Sequence, residues 1–165
     1  MRYFEVLLYF QYMLRPTIVL GTDHAGYRLK ERVKEFLVRA GYRVRDLGTD
    51  SERSVDYPDF IIPAARTVAR SGGRARGIVF GGSGLGECVA ANKVRGIRAV
   101  AAYDAYTAKM SRLHNDANVL CLGGRTVTKD PKRALIIIRL WLGTPFSRAG
   151  RHVRRLRKIS RFERK

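Results

Sequence analysis

Short apolar stretches that fit buried strands alternate along the chain with longer segments whose apolar residues recur at helical spacing. Residues 17–21 form the first such stretch, and residues 27–40 follow it with an apolar helix face. The helix predicted at 131–142 is apolar nearly all round, which predicts that it is buried. The pattern predicts further strands at 42–47, 76–80, 97–102 and 118–122, and further helices at 58–70, from a glycine-rich turn to about 94, at 105–113 and at 131–142.

Repeated strand–helix units with short connections imply a parallel sheet that is covered by helices on both faces. We therefore predict an α/β protein with a three-layer Rossmann-like fold and a five-stranded parallel sheet. A chain of 165 residues is long enough for one such domain, which we place at 15–147. Residues 1–14 are expected to be an N-terminal extension, apolar but too short to cross a membrane. Residues 148–165 form a basic, helix-compatible tail.

The charge of the chain is strongly unbalanced, with 33 Lys and Arg against 14 Asp and Glu and a net charge of +19. Arginine-rich surfaces suit phosphate groups, so a basic nucleic-acid-binding module is one alternative for the function. The basic residues are nevertheless dispersed, and only 148–165 resembles a basic arm. The charge alone therefore does not make nucleic-acid binding the leading hypothesis.

The two cysteines, Cys88 and Cys121, have neither disulfide-like nor metal-ligand spacing. We interpret both as small buried side chains in a protein of a reducing compartment, which indicates a cytoplasmic location. The sequence contains no cluster of His, Cys and carboxylate residues with metal spacing. We therefore expect no metal ion in the site.

A glycine-rich turn at 81–86 follows the third predicted strand and opens the next helix. Such a turn directs backbone N–H groups, including those of Gly82, Gly84 and Gly86, towards an anion. Glu87 lies just inside the helix. A carboxylate base beside such donors can take a proton from carbon while the donors stabilise the oxyanion that forms. The alternative is a glutamate that only complements the helix dipole.

Asp23 and His24 follow the first strand, at the edge where parallel sheets bind their ligands. The pair can supply an acid or base and an anion contact, or Asp23 can simply cap the next helix. The turn at Asp23 lacks a G-x-G-x-x-G motif, and 81–86 matches that motif imperfectly, so a nucleotide-binding Rossmann domain is disfavoured.

Three arginines are candidate phosphate ligands. Arg125 follows the fifth strand, and Arg151 and Arg155 are four residues apart, so they share one helix face. His114 and Asn115 close a predicted helix. Their simplest interpretation is a histidine that complements the helix dipole and an asparagine in a C-cap.

Several segments together resemble the type B ribose-5-phosphate isomerase family, which includes galactose-6-phosphate isomerase subunits. The resemblance covers about residues 17–160 in order, and the combination is more specific than any one piece. The matching segments are Gly21-Thr22-Asp23-His24-Ala25-Gly26, Asp56-Tyr57-Pro58, 81–86 with Ala90-Ala91-Asn92-Lys93, Gly96-Ile97-Arg98-Ala99, His114-Asn115-Asp116-Ala117-Asn118, Gly123-Gly124-Arg125, and Gly150-Arg151-His152 with Arg155.

The resemblance implies an aldose–ketose isomerase that interconverts ribose 5-phosphate and ribulose 5-phosphate without metal or cofactor. It also implies a homodimer, or a tetramer, whose sites lie between two subunits, with 148–165 contributing to both site and interface. A hexose 6-phosphate isomerase on the same scaffold is the alternative. By position, the ring would be opened by Asp23 and His114, and the base would be Glu87. The phosphate would be held by His24, Arg125, Arg151 and Arg155, and sugar oxygens would be contacted by Tyr57 and Asn115. The oxyanion would be stabilised by Ser83 and the N–H groups of 82–86.

Members of this family differ in the base. Some carry a cysteine at the end of strand three, where this chain has Gly81. Others carry a glutamate in the following helix turn, where this chain has Glu87. The chain therefore resembles the glutamate subgroup.

Overall fold

The computed structural model describes residues 15–126 and 129–164, so the predicted extension at 1–14 lies outside the described residues. Within that part of the chain, strands and helices alternate as the sequence pattern predicts. The strands are β1 Thr17–Thr22, β2 Val44–Asp46, β3 Ala75–Gly81, β4 Ala99–Ala101 and β5 Val119–Gly123, and the helices are α1 Tyr27–Arg39, α2 Pro58–Ala69, α3 Leu85–Asn92, α4 Ala105–Asn115, α5 Pro131–Gly143 and α6 Gly150–Phe162.

The strands form one parallel sheet in the order β2-β1-β3-β5-β4. The predicted fold class is thus confirmed. β2 and β4 are three residues long, shorter than the predicted 42–47 and 97–102. Both are edge strands that pair on one side only, and short edge strands limit unwanted pairing with other chains.

Alternate residues of each central strand enter two separate cores, which makes the molecule three-layered. In β1, Ile18 and Leu20 pack under α1, α4 and α5, whereas Val19 packs under α2 and α3. α5 is not buried all round, because Ile136 and Leu140 are 53% and 36% exposed. The prediction for that helix was wrong because one apolar stripe, centred on the fully buried Trp141, is enough to dock it.

The sheet has a carboxyl edge, where its parallel strands end, and an amino edge, where they begin, and the two are chemically different. At the carboxyl edge, the loops that follow the neighbouring strands β1 and β3 lead to helices on opposite faces, a topological switch point where ligands bind in open α/β sheets. At the amino edge, α4 ends at Asn115 immediately before β5. The 11 residues of α4 place its two ends about 16 Å apart. No helix in the described residues has the length and apolar character needed to cross a bilayer.

Candidate active site

Three loops meet at the carboxyl edge and are joined by their backbones. The N–H groups of Gly124 and Arg125, after β5, donate to the carbonyl oxygens of Gly81 and Gly82, after β3, at 2.8 and 2.9 Å. The loop after β1 approaches just as closely, since a Cβ atom on Gly26 would lie 2.7 Å from the Gly81 nitrogen. The loops after β1, β3 and β5 therefore form one rigid floor at the switch point.

The glycine-rich turn leads directly into α3. Gly84 has a φ of 82°, a left-handed conformation that favours glycine. A Cβ atom there would also lie 3.0 Å from the carbonyl carbon of Leu122. The Oγ of Ser83 accepts a hydrogen bond from the Leu85 N–H at 3.2 Å, and Ser83 is exposed. Because a hydroxyl both accepts and donates, this contact leaves the Ser83 proton for another acceptor.

The Glu87 carboxylate lies beneath this turn rather than in solvent. Glu87 is only 4% exposed, and its carboxylate lies over the end of β3 at Gly81. Burial raises the pKa of Glu87, and the neighbouring charge of Asp23 raises it further, while hydrogen bonds from the N–H groups of Glu87 and Gly84 act in the opposite direction. A surface glutamate that only complements the helix dipole would not need this burial. The environment is that of a carboxylate tuned towards general-base chemistry.

Asp23 lies beside Glu87 and also organises its own loop. It is 7% exposed, and its Oδ1 accepts hydrogen bonds from the N–H groups of Ala25 and Gly26 at 2.9 and 3.1 Å. Asp23 therefore ties the turn that precedes α1, close to the capping role considered from the sequence. Its position next to Glu87 keeps the acid or base role open as well.

His24 is held by one ring nitrogen. Its Nδ1 accepts a hydrogen bond from the Val55 N–H at 3.3 Å, so Nε2 is the nitrogen that can face a ligand. A cavity of about 440 Å³ opens beside His24 and Gly124, and Arg32 and Lys129 line its far side. The lining also contains Arg28 and Glu52, which form an ion pair, so the cavity has more cationic than anionic side chains.

Tyr57 and Arg125 border the glycine-rich turn from either side. A Cβ atom on Gly86 would lie 3.1 Å from the Tyr57 ring, and one on Gly82 would lie 3.7 Å from the Arg125 side chain. Both glycines therefore let a large polar side chain approach the turn. Asp23, His24, Tyr57, Ser83, Glu87 and Arg125 thus share one edge of the sheet.

The other predicted site residues lie at the amino edge. The rings of His114, at the end of α4, and His152, in α6, have centroids 4.3 Å apart. His152 is buried, its Nδ1 lies 2.7 Å from the Ser147 Oγ, and the Arg151 Nε lies 3.2 Å from its Nε2. His114, Asn115, Arg151 and Arg155 therefore form a second group. Asp23 and His114 thus lie at opposite edges of the sheet, the first after β1 and the second at the end of α4.

The sequence analysis missed the chemistry of Cys88. Cys121 is buried as predicted, at 1% exposed, whereas Cys88 is only half-buried. A hydrogen bond from the Cys121 thiol lowers the pKa of Cys88 to about 7. The prediction that both cysteines are buried is therefore wrong for Cys88. α3 packs over β5 and brings the two sulfur atoms together, a contact with no signature in the spacing.

Asn92 also has a role that the sequence did not reveal. Its side-chain amide donates to the Ala99 carbonyl and accepts from the Ala99 N–H, both at 2.9 Å, and donates to the Cys88 carbonyl at 3.0 Å. The amide thus pairs with edge strand β4 as another strand would. It fixes the end of the helix that carries Glu87.

These features define a Rossmann-like α/β protein with a buried carboxylate beside a glycine-rich turn. The sequence model of the family described as Ribose/Galactose Isomerase matches residues 18–159. The chain belongs to that family.

The similarity between this chain and its relatives extends along most of each chain. Ribose-5-phosphate isomerase B of Mycobacterium tuberculosis is 45% identical over 149 residues, which cover 89% of this chain and 90% of that protein. The structure of Clostridium thermocellum ribose-5-phosphate isomerase B has 49% identity and a TM-score of 0.85, covering 90% of this chain and 97% of that one. The Mycoplasma genitalium ribose-5-phosphate isomerase B structure, with bound ribulose-5-phosphate, has 38% identity and a TM-score of 0.85, with the same coverage of 90% and 97%.

Proposed function

We propose that the protein interconverts D-ribose 5-phosphate and D-ribulose 5-phosphate through a cis-enediolate, as the names of its relatives indicate. The observation that carries the proposal is the buried Glu87 carboxylate, which lies against the end of β3 beside the N–H groups of the glycine-rich turn. Dry surroundings and a raised pKa suit a group that must accept and return a proton in one turnover.

In the proposed reaction, Asp23 assists opening of the sugar ring. The Glu87 carboxylate then takes the proton from C2 of the open-chain aldose, and the electron pair of that C–H bond forms the enediolate. The N–H groups of 82–86 and the Ser83 hydroxyl stabilise the developing oxyanion. Each such donor typically contributes about 3 kcal/mol. The hydroxyl proton of O2 passes to O1, which the cis arrangement holds close by, and Glu87 returns its proton to C1, which gives the ketose.

The phosphate end is held by cations. His24 and Arg125 border the glycine-rich turn of one protomer. Arg151 and Arg155 lie at the opposite edge of the same chain, so we propose that they reach the substrate phosphate from a second copy, together with His114 for ring opening. Clamping the remote phosphate fixes C2 against the base. Tyr57 of one copy and Asn115 of the other would contact sugar oxygens.

A homodimer with composite sites also accounts for exposed apolar side chains near the carboxyl edge. Leu85 and Val89, one turn apart on α3, are 53% and 59% exposed, and Tyr103 and Tyr106, after β4, are 44% and 70% exposed. Large exposed apolar side chains that cluster in this way mark interaction surfaces. We propose that the second copy covers them and thereby excludes water from Glu87.

We expect the reaction to need neither metal nor cofactor, because the residues at the site supply the base and the anion-binding donors. Cys88 and Cys121 do not form a disulfide, which suits the reducing cytoplasm where we place the enzyme.

The direct test is a coupled isomerisation assay of the purified protein with a chelator present. Ribose 5-phosphate, allose 6-phosphate and galactose 6-phosphate are compared. We expect chelator-resistant turnover of ribose 5-phosphate that is lost in Glu87→Gln and kept in Glu35→Gln, an exposed control carboxylate. Turnover of a six-carbon sugar alone would retain the mechanism and change the substrate, and full activity of Glu87→Gln would refute the proposed base.

The composite site is tested by mixing two inactive variants, Glu87→Gln and Arg151→Ala/Arg155→Ala, after unfolding and refolding them together. If Glu87 and the arginine pair come from different copies, each mixed dimer has one intact site. About a quarter of wild-type activity should then return for random pairing in a two-fold dimer. If both groups serve one site from the same chain, mixing restores nothing.

A further inference from the structure

The outward face of α6 carries an unbroken row of cations. At 100° per residue, Arg154, Arg157 and Arg161 lie on the side of the helix opposite the buried His152. Arg148 and Lys158 flank the row. All five side chains are exposed and line a groove of about 740 Å³. We call these five residues the outer ridge.

No acidic side chain balances the outer ridge. α6 contains no Asp or Glu, and none of the five cations forms a salt bridge within the described residues. α1 shows the contrast, because Arg39 pairs with Glu35 and Lys34 pairs with Glu31. Like charges three and four residues apart repel each other along a helix. The cations of the ridge therefore repel one another, and a bound anion would reduce that repulsion.

The outer ridge is separate from the proposed sugar-phosphate clamp. Arg151 and Arg155 lie about 100° around the helix axis from the centre of the ridge. Arg151 is exposed like the ridge residues, but its Nε donates to the His152 Nε2 at 3.2 Å. A small sugar phosphate held by Arg151 and Arg155 would leave the ridge uncovered. We therefore expect the ligand of the ridge to be a different and longer anion.

We propose that the outer ridge binds the sugar-phosphate backbone of a nucleic acid without reading its bases. Arg154 to Arg161 span about 10 Å of helix axis, a length along which one duplex strand carries about three phosphates. Arginine forks bind phosphate oxygens in pairs. Arginine and lysine side chains that contact phosphates carry no sequence information, so we expect binding to be insensitive to sequence. The exposed apolar side chains of α6, Ile159 and Phe162, lie about 160° and 100° around the helix axis from Arg161, so the ridge itself presents no apolar side chain to a bilayer.

The test is a fluorescence-anisotropy titration of a labelled 20-nucleotide poly(U) RNA with the full-length protein at several salt concentrations. The ridge variant is Arg154→Gln/Arg157→Gln/Arg161→Gln. The matched control is Arg45→Gln/Arg70→Gln/Arg74→Gln, which removes three exposed arginines elsewhere and lowers the net charge equally. Circular dichroism verifies the fold of each variant, and turnover of ribose 5-phosphate verifies that the interface to which 148–165 is expected to contribute is intact.

We expect wild-type protein to bind with a Kd of about 10 µM near physiological salt. The ridge variant should bind about 10-fold more weakly or worse, and the slope of log affinity against log salt should be shallower by about 2. The Kd of the control variant should change less than about threefold. Replacing the same three arginines by lysine should retain most of the affinity, and millimolar ribose 5-phosphate should not displace the RNA. Equal weakening in both Gln variants, no binding by wild type, or ridge-dependent binding only to phosphatidylglycerol vesicles would each overturn the proposal.

Discussion

The Glu87 carboxylate occupies the space that a side chain at position 81 would need. A Cβ atom built on Gly81 would lie 1.8 Å from the Glu87 Oε1 and 2.0 Å from its Cδ. A side chain at the end of β3 and a buried glutamate at 87 are therefore mutually exclusive in this backbone. This gives a physical reason why the resemblance places either a cysteine at the first position or a glutamate at the second.

Gly81→Ala should therefore disable the enzyme without touching a catalytic group. The new methyl must displace the Glu87 carboxylate, and we expect kcat for ribose 5-phosphate to fall about 100-fold or more, the low end of what losing a general base costs. Gly143→Ala is the control, since a Cβ atom there meets nothing within 4 Å. Near-normal kcat in Gly81→Ala, with a circular dichroism spectrum like the wild type, would show that Glu87 has room to move and still react.

Glu87→Gln should inactivate the enzyme and stabilise the fold at neutral pH. Because the folded-state pKa of Glu87 is raised, the folded protein binds this proton more tightly than the unfolded chain does. The corresponding stabilisation is present below the unfolded pKa, about 4.3, and is lost as pH rises through the folded pKa. Neutral Gln avoids that loss. Urea denaturation should therefore favour the variant at pH 7.5, with the gap closing near pH 4.

The same titration predicts the acid limb of the wild-type pH profile. Glu87 must be ionised to act as a base, so kcat/KM should fall as pH drops through a value above the ordinary pKa of a glutamate. A profile flat down to pH 4 would contradict a base in this environment.

The strand–helix order followed from the hydrophobic periodicity, because every central strand alternates between two cores and every helix docks by one stripe. Glu87 was recognised for the same local reason: the turn and the first helical residues are contiguous in sequence. Relationships across the sheet left no such pattern. The separation of His114 from Asp23 depends on the direction in which α4 runs, and the approach of Cys88 to Cys121 depends on packing.

Asn92→Asp should destabilise the protein in a pH-dependent way. The Asn92 amide donates to two carbonyl oxygens, those of Ala99 and Cys88. An ionised Asp would face both carbonyls with no proton to donate, which costs about 1–3 kcal/mol, whereas Asn92→Ala loses the hydrogen bonds without the repulsion. The Asp variant should regain stability at low pH, when its carboxyl carries a proton. Urea midpoints at pH 4 and 7.5 measure this, and a pH-independent loss equal to that of Ala would argue against the amide's role at β4.

Acid should loosen the docking of α6. Burial lowers the pKa of His152, and the nearby charges of His114, Arg151 and Arg155 lower it further. A histidine whose pKa is depressed contributes docking stability above its unfolded value, about 6.5, and that stability is lost as pH falls through the folded pKa. The protonated ring would lie against the other ring, 4.3 Å away, and beside two guanidinium groups.

Hydrogen exchange across 150–162, corrected for the intrinsic effect of pH, measures this docking. Protection should be greater at pH 7.5 than at pH 5 in the wild type, and His152→Phe, which keeps a ring against His114, should retain its protection at pH 5. If Arg151 and Arg155 serve the substrate phosphate as proposed, KM for ribose 5-phosphate should rise over the same pH range in the wild type and less in the variant. Equal loss of protection in both proteins would show that His152 is not the source of the pH response.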